Sequence, residues 1–187
     1  MTETIAKALK KEIVIPEALK SVIMVMLFSY FTFAAAMIKI YIPGNPVPFT
    51  MQTFVLFMAV YYLSAKENGI SQLIYVAAGM FGAPVFAAGL TGALILMGPT
   101  AGYLAGFIIS GILMSYIMRK TGKLTYIKAA LIFVIGGFII LALGTIHLYL
   151  IYKMPFDKAI VLGFLPFVAS DFVKILAAAG FYKLKRQ

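Results

Sequence analysis

The chain has 187 residues, 63% of them hydrophobic, and a mean hydropathy of +1.02. A soluble domain is only about half apolar, so this composition excludes an ordinary soluble fold and predicts an all-α protein embedded in the lipid bilayer. The 16 Lys and Arg outnumber the 6 Asp and Glu, but they flank apolar runs, which argues against nucleic-acid binding, and the lack of Cys excludes disulfides and thiolate metal sites.

Six membrane spans are predicted, since a spanning helix needs about 20 mainly apolar residues. Residues 1–18 precede them and are predicted to form an amphipathic helix on the cytoplasmic membrane surface. The spans cover about 19–38, 49–65, 70–81, 99–118, 128–151 and 159–181. The third span is short and ends at the breaker Gly82–Pro84, and Pro166 interrupts the sixth. We therefore expect a single integral membrane domain over residues 1–187.

The distribution of positive charge predicts the orientation of these spans. With a cytoplasmic N-terminus, twelve Lys and Arg fall on inner segments, three on outer segments, and Lys174 alone inside a span. Cytoplasmic loops carry the excess of positive charge in membrane proteins. The sequence therefore predicts a multi-pass protein of the cell membrane with both termini in the cytoplasm.

The outer segments contain unusual residues for loops that face water. Thr50, Gln52 and Thr53 stand at the start of the second span. The segment between the third and fourth spans is glycine-rich and carries no charge. Its side-chain features are Phe86, Thr91, Thr100 and Tyr103. Such a segment is best explained as a lid over an apolar cavity with a few polar groups, which is typical of small-molecule sites.

Asp171 and Lys174 stand three residues apart in the otherwise apolar stretch LPFVASDFVKILAAAG. Residues at this spacing project from one helix face. An ionisable group in the membrane costs several kcal/mol if it faces lipid, so both are expected to face the bundle interior or the cavity. A purely structural ion pair is the alternative. A proton relay is another, but it would need a second buried acid, and no other predicted span contains one.

Several other candidates have ordinary structural alternatives. Tyr103 could belong to the aromatic belt at the membrane interface, and Gln52 could cap backbone groups. His147 is the only histidine, and a single histidine without further ligands is no metal site. It is interpreted as an interface residue, and the sequence predicts neither a metal nor a cofactor.

Three blocks carry a resemblance to a known family: PVPFTMQTF at 46–54, GAPVF with GPTAGYLAGF between 82 and 107, and LPFVASDFVK at 165–174. In this order and topology, the chain resembles the BioY family, the biotin-specific substrate-binding subunits (S components) of energy-coupling-factor (ECF) transporters. The resemblance covers nearly the whole chain. Ala101 stands where the family usually has glycine, and no Asn or Arg, which members tend to carry in this region, occurs between Gly69 and Met118.

The resemblance implies an ECF S-component-like bundle of six helices with a biotin site under the first and third outer loops. It implies that Asp171 meets the ligand ring and that Lys174 is its charge partner. Gln52, Thr91, Thr100 and Tyr103, with Phe86, are the remaining candidates for ligand contacts. It also implies partners: a transmembrane coupling subunit (EcfT/BioN-like) and two cytoplasmic ATPase subunits.

Other functions remain open on the sequence alone. The chain could be an S component for another vitamin or precursor, or a stand-alone secondary transporter. An enzyme is not expected, because a nucleophile with its base, an acidic cluster and a phosphate-binding loop are all missing from the sequence. Thr32 and Ala36 form a small-xxx-small pair on the first span, which lets helices approach closely. This pair is predicted to dock the coupling subunit, with packing inside the bundle as the alternative.

Overall fold

The computed structural model describes residues 16–186 except 88 and 90, and nothing is said of the side chains of 184–186. The amphipathic helix predicted for 1–18 lies almost wholly outside this part. In the described part, the α-helices are α1 Glu17–Met37, α2 Gln52–Tyr62, α3 Ala65–Met80, α4 Ala101–Lys120, α5 Tyr126–Leu150, α6 Phe156–Gly163 and α7 Leu165–Gly180. Gly92–Met97 and Phe181–Arg186 form 3₁₀ helices, and strands β1 Lys39–Ile40 and β2 Phe49–Thr50 pair antiparallel.

Among the described residues, four helical segments are long and apolar enough to cross a membrane: α1, α4, α5 and the stretch Phe156–Lys183, which contains α6 and α7. The remaining two helices are shorter. α2 has 11 residues and α3 has 16, so at the rise of an α-helix they are about 16 and 24 Å long. The second and third predicted spans fall on these two helices.

The start of α3 differs from the prediction for the third span. Ser64 and Glu67 form a capping box: the Glu67 N–H donates to Ser64 Oγ at 3.3 Å, and the Ser64 N–H donates to Glu67 Oε2 at 2.7 Å. The Ser21 hydroxyl also donates to this carboxylate. A capping box satisfies two backbone donors at a helix start. The helix therefore begins at Ala65, before the predicted residue 70, and includes the polar residues of its first turn.

Pro166 divides the last span into α6 and α7. Proline has no N–H to donate to the carbonyl four residues earlier, which is that of Leu162. Phe167 N–H donates to Phe164 O at 3.1 Å, so the Gly163 carbonyl also lacks its usual helical partner. Side chains supply the missing donors: Asn45 Nδ2 donates to Leu162 O at 2.8 Å, and Tyr103 Oη donates to Gly163 O at 2.6 Å. The loop between α1 and α2 and the helix α4 thus hold the break in place.

Tyr103 is a buried core residue, 7% exposed, so its interpretation as an interfacial belt aromatic is wrong. Its ring lies directly on Gly144 of α5, where a Cβ would come within 2.2 Å of the ring carbons. A side chain at position 144 would therefore displace the ring. α4 and α5 pack closely at this point, and the hydroxyl of Tyr103 reaches the helix break.

Tyr103→Phe should destabilise the protein, because it removes one hydroxyl and leaves the buried Gly163 carbonyl unpaired. Such a loss costs about 1–3 kcal/mol of the free energy of unfolding. Tyr30→Phe removes the same atom from a side chain that is 60% exposed and should change little. Thermal unfolding of both variants in detergent measures the difference. Equal midpoints for the two variants would contradict the role given to the hydroxyl.

Candidate functional site

A cavity lies between α2, α4, α5 and α7, beneath the segment that joins α3 to α4. It contains about 550 Å³ of empty space, including its open mouth. Its polar lining comes from Thr50, Gln52, Thr53, Tyr75, Thr100, Tyr103, Asp171 and Lys174. Its apolar walls include Val47, Phe86, Leu104, Phe107, Ile140 and Phe167. An apolar enclosure with few polar groups is the usual form of a small-molecule site.

Asp171, Lys174 and Thr53 form a closed triangle of hydrogen bonds at this cavity. Lys174 Nζ lies 3.0 Å from Asp171 Oδ1, and both side chains are largely buried. The Thr53 hydroxyl donates to the same Oδ1 at 3.0 Å and accepts from Lys174 Nζ at 2.9 Å. Because the hydroxyl is donor and acceptor at once, it links the two charged groups and fixes both rotamers.

The triangle of hydrogen bonds engages one oxygen of the Asp171 carboxylate and leaves the second oxygen available to other donors. Both donors reach Oδ1, and within the described part of the chain no residue is seen to donate to Oδ2. Asp171 is 4% exposed and lines the cavity. A carboxylate accepts about four hydrogen bonds, and those to a charged acceptor are the strong ones. The site is therefore suited to a ligand that presents N–H donors.

A second polar chain crosses the cavity base from α2 to α3. Thr50 Oγ1 donates to Gln52 Oε1 at 3.1 Å, and Gln52 Nε2 donates to Tyr75 Oη at 2.8 Å. The Tyr75 hydroxyl then donates to the Val85 carbonyl at 3.2 Å. Gln52 is thus a buried member of a side-chain network, and its polar atoms are oriented by α3 and the following loop.

The segment between α3 and α4 covers the cavity. The Phe86 ring is buried against Gly79, where a Cβ would come within 2.1 Å of it, and meets Tyr75 edge-on with ring centroids 5.5 Å apart. The neighbouring Ala87 carbonyl accepts from Lys39 Nζ at 3.1 Å and from Tyr41 Oη at 2.6 Å. Gly82, Gly89 and Gly92 have φ between 67° and 98°, a backbone region that favours glycine. Lys39 and Tyr41, which follow α1, therefore fasten this cover.

The remaining candidates divide into those at the cavity and those away from it. Thr100 lines the cavity at the start of α4, together with Tyr103. Thr91 precedes the 3₁₀ helix and is not among the lining residues. His147 Nε2 lies 2.9 Å from the Gly98 carbonyl, so it fastens the end of the cover to α5.

Thr32 and Ala36, predicted to dock a partner, are both 0% exposed and lie inside the bundle. Thr32 Oγ1 donates to Phe28 O at 2.8 Å and accepts from Gln72 Nε2 at 3.3 Å. The small side chains let α1 approach neighbouring helices of the same chain. This agrees with the alternative interpretation of the pair, packing inside the bundle. This face of α1 offers no surface to another subunit in the structure.

Thr53, Tyr75 and Asn45 are residues of the site or its support that sequence reasoning did not select. The polar cluster at the start of the second span included Thr53, but nothing in the sequence indicated its contact with Asp171, 118 positions away. Tyr75 and Asn45 likewise act through contacts across the fold.

Comparisons with known proteins agree with one another. A model of the BioY family matches residues 4–187. The biotin transporter BioY of Thermotoga maritima is 40% identical over 138 residues, which are 74% of this chain and 80% of that protein. The biotin transporter BioY2 of Lactococcus lactis is 34% identical over 140 residues, 75% of this chain and 76% of that protein. The crystal structure of the S-component for biotin from an ECF-type ABC transporter superposes with a TM-score of 0.83, at 22% identity, over 91% of this chain and 93% of that one.

Lys174→Met should destabilise the protein strongly, because it strands the Asp171 carboxylate in an apolar bundle. Breaking a buried pair in this way costs about 3–5 kcal/mol. The double variant Asp171→Asn with Lys174→Met removes both charges and should regain most of the lost free energy of unfolding. Thermal unfolding of the single and double variants measures the coupling. A double variant no more stable than the single one would mean that the pair is not an energetic unit.

Proposed function

Because the chain belongs to the BioY family, we propose that it is the biotin-binding membrane subunit, the S component, of an ECF transporter. One observation carries the proposal beyond family membership. The cavity combines apolar walls with a buried carboxylate whose Oδ2 is left for a ligand, beside a fixed ammonium group. Biotin has matching chemistry: an apolar bicyclic body, a ureido edge with two N–H donors, and a carboxylate tail.

In this proposal Asp171 accepts a hydrogen bond from the ureido edge of biotin. Thr53 holds the carboxylate in its rotamer, and Lys174 is its charge partner at 3.0 Å. Charge-assisted hydrogen bonds are about twice as strong as neutral ones. Phe167 stacks on Phe49 at 4.5 Å between ring centroids, and with Phe86 it supplies apolar surface for the bicycle. Gln52, Thr100 and Tyr103 line the same cavity and are proposed as further contacts. Thr91 is not proposed as a ligand contact, because it is not among the residues that line the cavity.

The transport machinery is proposed to follow the family as well. The six spans of the sequence prediction, with α2 and α3 as the short second and third, put both termini in the cytoplasm and the cavity on the outer side. The printed sequence has no phosphate-binding loop. ATP hydrolysis is therefore assigned to two cytoplasmic ATPase subunits, which act through a transmembrane coupling subunit, while this chain binds the ligand.

The purified chain alone should bind biotin without ATP or any partner, because the whole cavity is built from its own residues. Calorimetry or radioligand binding in detergent tests this, with a panel of other vitamins as competitors. Binding of a different vitamin, with no binding of biotin, would assign the chain to another substrate.

Asp171→Asn should weaken biotin binding, because it turns part of the acceptor group into a donor that faces a ligand N–H. An unpaired buried donor costs about 1–3 kcal/mol, which is about ten- to hundredfold in dissociation constant. Thr53→Val should also weaken binding, since it frees the carboxylate rotamer. Thr121→Val, at the opposite end of α4, is the matched control.

The double variant Asp171→Asn with Lys174→Met separates recognition from stability. It should fold and yet bind weakly if Asp171 contacts the ligand. Near-normal affinity in this double variant would show that the pair is purely structural.

A further inference from the structure

α3 carries a buried polar face that meets the lining of the cavity at Tyr75. Asn68, Ser71, Gln72 and Tyr75 stand at i, i+3, i+4 and i+7, so they share one face of the helix. The first three are 0% exposed and Tyr75 is 2% exposed. Ser110 and Ser115 of α4 and Thr32 of α1 are polar residues of neighbouring helices that are also 0% exposed. We call this group of seven residues the polar seam.

Only part of the polar seam is paired. Asn68 Nδ2 donates to Ser115 Oγ at 3.0 Å, and Gln72 Nε2 donates to Thr32 Oγ1 at 3.3 Å. Four buried oxygens of the seam have no hydrogen-bond partner among the described residues: Asn68 Oδ1, Ser71 Oγ, Gln72 Oε1 and Ser110 Oγ. Buried polar groups in proteins are nearly always satisfied by protein or ordered water.

Helix register relates the seam residues of α3 to those of α4. Asn68 bonds Ser115, and a Cβ on Gly69 would touch Ile112 at 2.8 Å, which fixes α3 and α4 as an antiparallel pair. One turn further along, the same register puts Ser71 opposite Ser110. From Asn68 to Tyr75 the seam is about 10 Å long at helical rise.

The seam joins two polar regions at its ends. At one end, Asn68 follows Glu67, whose carboxylate accepts from Ser21 and from the Ser64 N–H at the start of α3. At the other end, the Tyr75 hydroxyl accepts from Gln52 at the base of the cavity. Polar groups therefore lie at both ends of the seam, at the start of α3 and at the cavity.

We propose that the polar seam binds ordered water and forms a hydrated path between the cavity base and the N-terminal end of α3. A buried water typically makes about three hydrogen bonds to groups that would otherwise be unsatisfied, and four such oxygens line this path. A ligand that fills the cavity displaces its water. With the cover closed, the seam gives that water a route away from the cavity. The proposal does not depend on which ligand fills the cavity.

The sequence offers a direct test, because it contains no cysteine. Ser71→Cys places one nearly isosteric thiol in the seam, and Ser110→Cys is the second variant, in case the first does not fold. Val60→Cys places the thiol at a dry core position that is 1% exposed. Infrared spectroscopy then follows the exchange of S–H to S–D after transfer of proteoliposomes into D₂O.

The seam thiols should exchange at least about tenfold faster than the thiol at position 60, because a hydrated site exchanges without local unfolding. Adding Asn68→Leu, which fills the end of the path with an apolar side chain, should slow the exchange at position 71 towards the dry rate. Exchange at positions 71 and 110 that is no faster than at position 60, in variants that still fold, would overturn the proposal.

Discussion

The position of the ligand cavity depends on how the bundle accommodates Pro166. The proline leaves the carbonyls of Leu162 and Gly163 without helical donors, and an unpaired backbone carbonyl buried in a membrane protein costs several kcal/mol. Asn45 and Tyr103 satisfy these two groups at 2.8 and 2.6 Å. Because Asn45 comes from the loop between α1 and α2 and Tyr103 from α4, the requirement fixes both elements against the start of α7. The cavity lies at the point where these elements meet.

α7 then carries Asp171 and Lys174 to the cavity wall, where their burial sets a second constraint. A buried ion pair is weak evidence for stability, because the desolvation cost offsets much of the Coulomb attraction. The ion pair instead orients the Asp171 carboxylate. Because Thr53 is bonded to both partners, the carboxylate has one rotamer and one oxygen left for a ligand. A site of this kind loses little conformational freedom when it binds, which favours affinity.

The sequence predicted the features that depend on local pattern. The long spans follow from runs of apolar residues, and the pairing of Asp171 with Lys174 follows from helical spacing. The early start of α3 was not predicted, because the predicted span was bounded by apolar residues and the capping box of Ser64 and Glu67 is polar. The contact of Thr53 with Asp171 joins residues 118 positions apart, and local pattern contains no such information. For Thr32 and Ala36, small size predicted close helix contact but could not say which helix would make it.

The contacts around the cavity also differ in how firmly they hold its walls and its cover. The base is held by side chains buried between helices, among them Gln52, Tyr75 and Tyr103, and each is bonded to a different element. The cover is held by both buried and exposed contacts. The Val85 carbonyl accepts from the Tyr75 hydroxyl and the Phe86 ring is buried, whereas the Ala87 carbonyl accepts from the exposed residues Lys39 and Tyr41. Hydrogen bonds exposed to solvent open at a lower free energy than buried ones. The bonds to Ala87 therefore open at a lower free energy than the buried contacts of Val85 and Phe86, so the part of the cover around residue 87 is held least firmly.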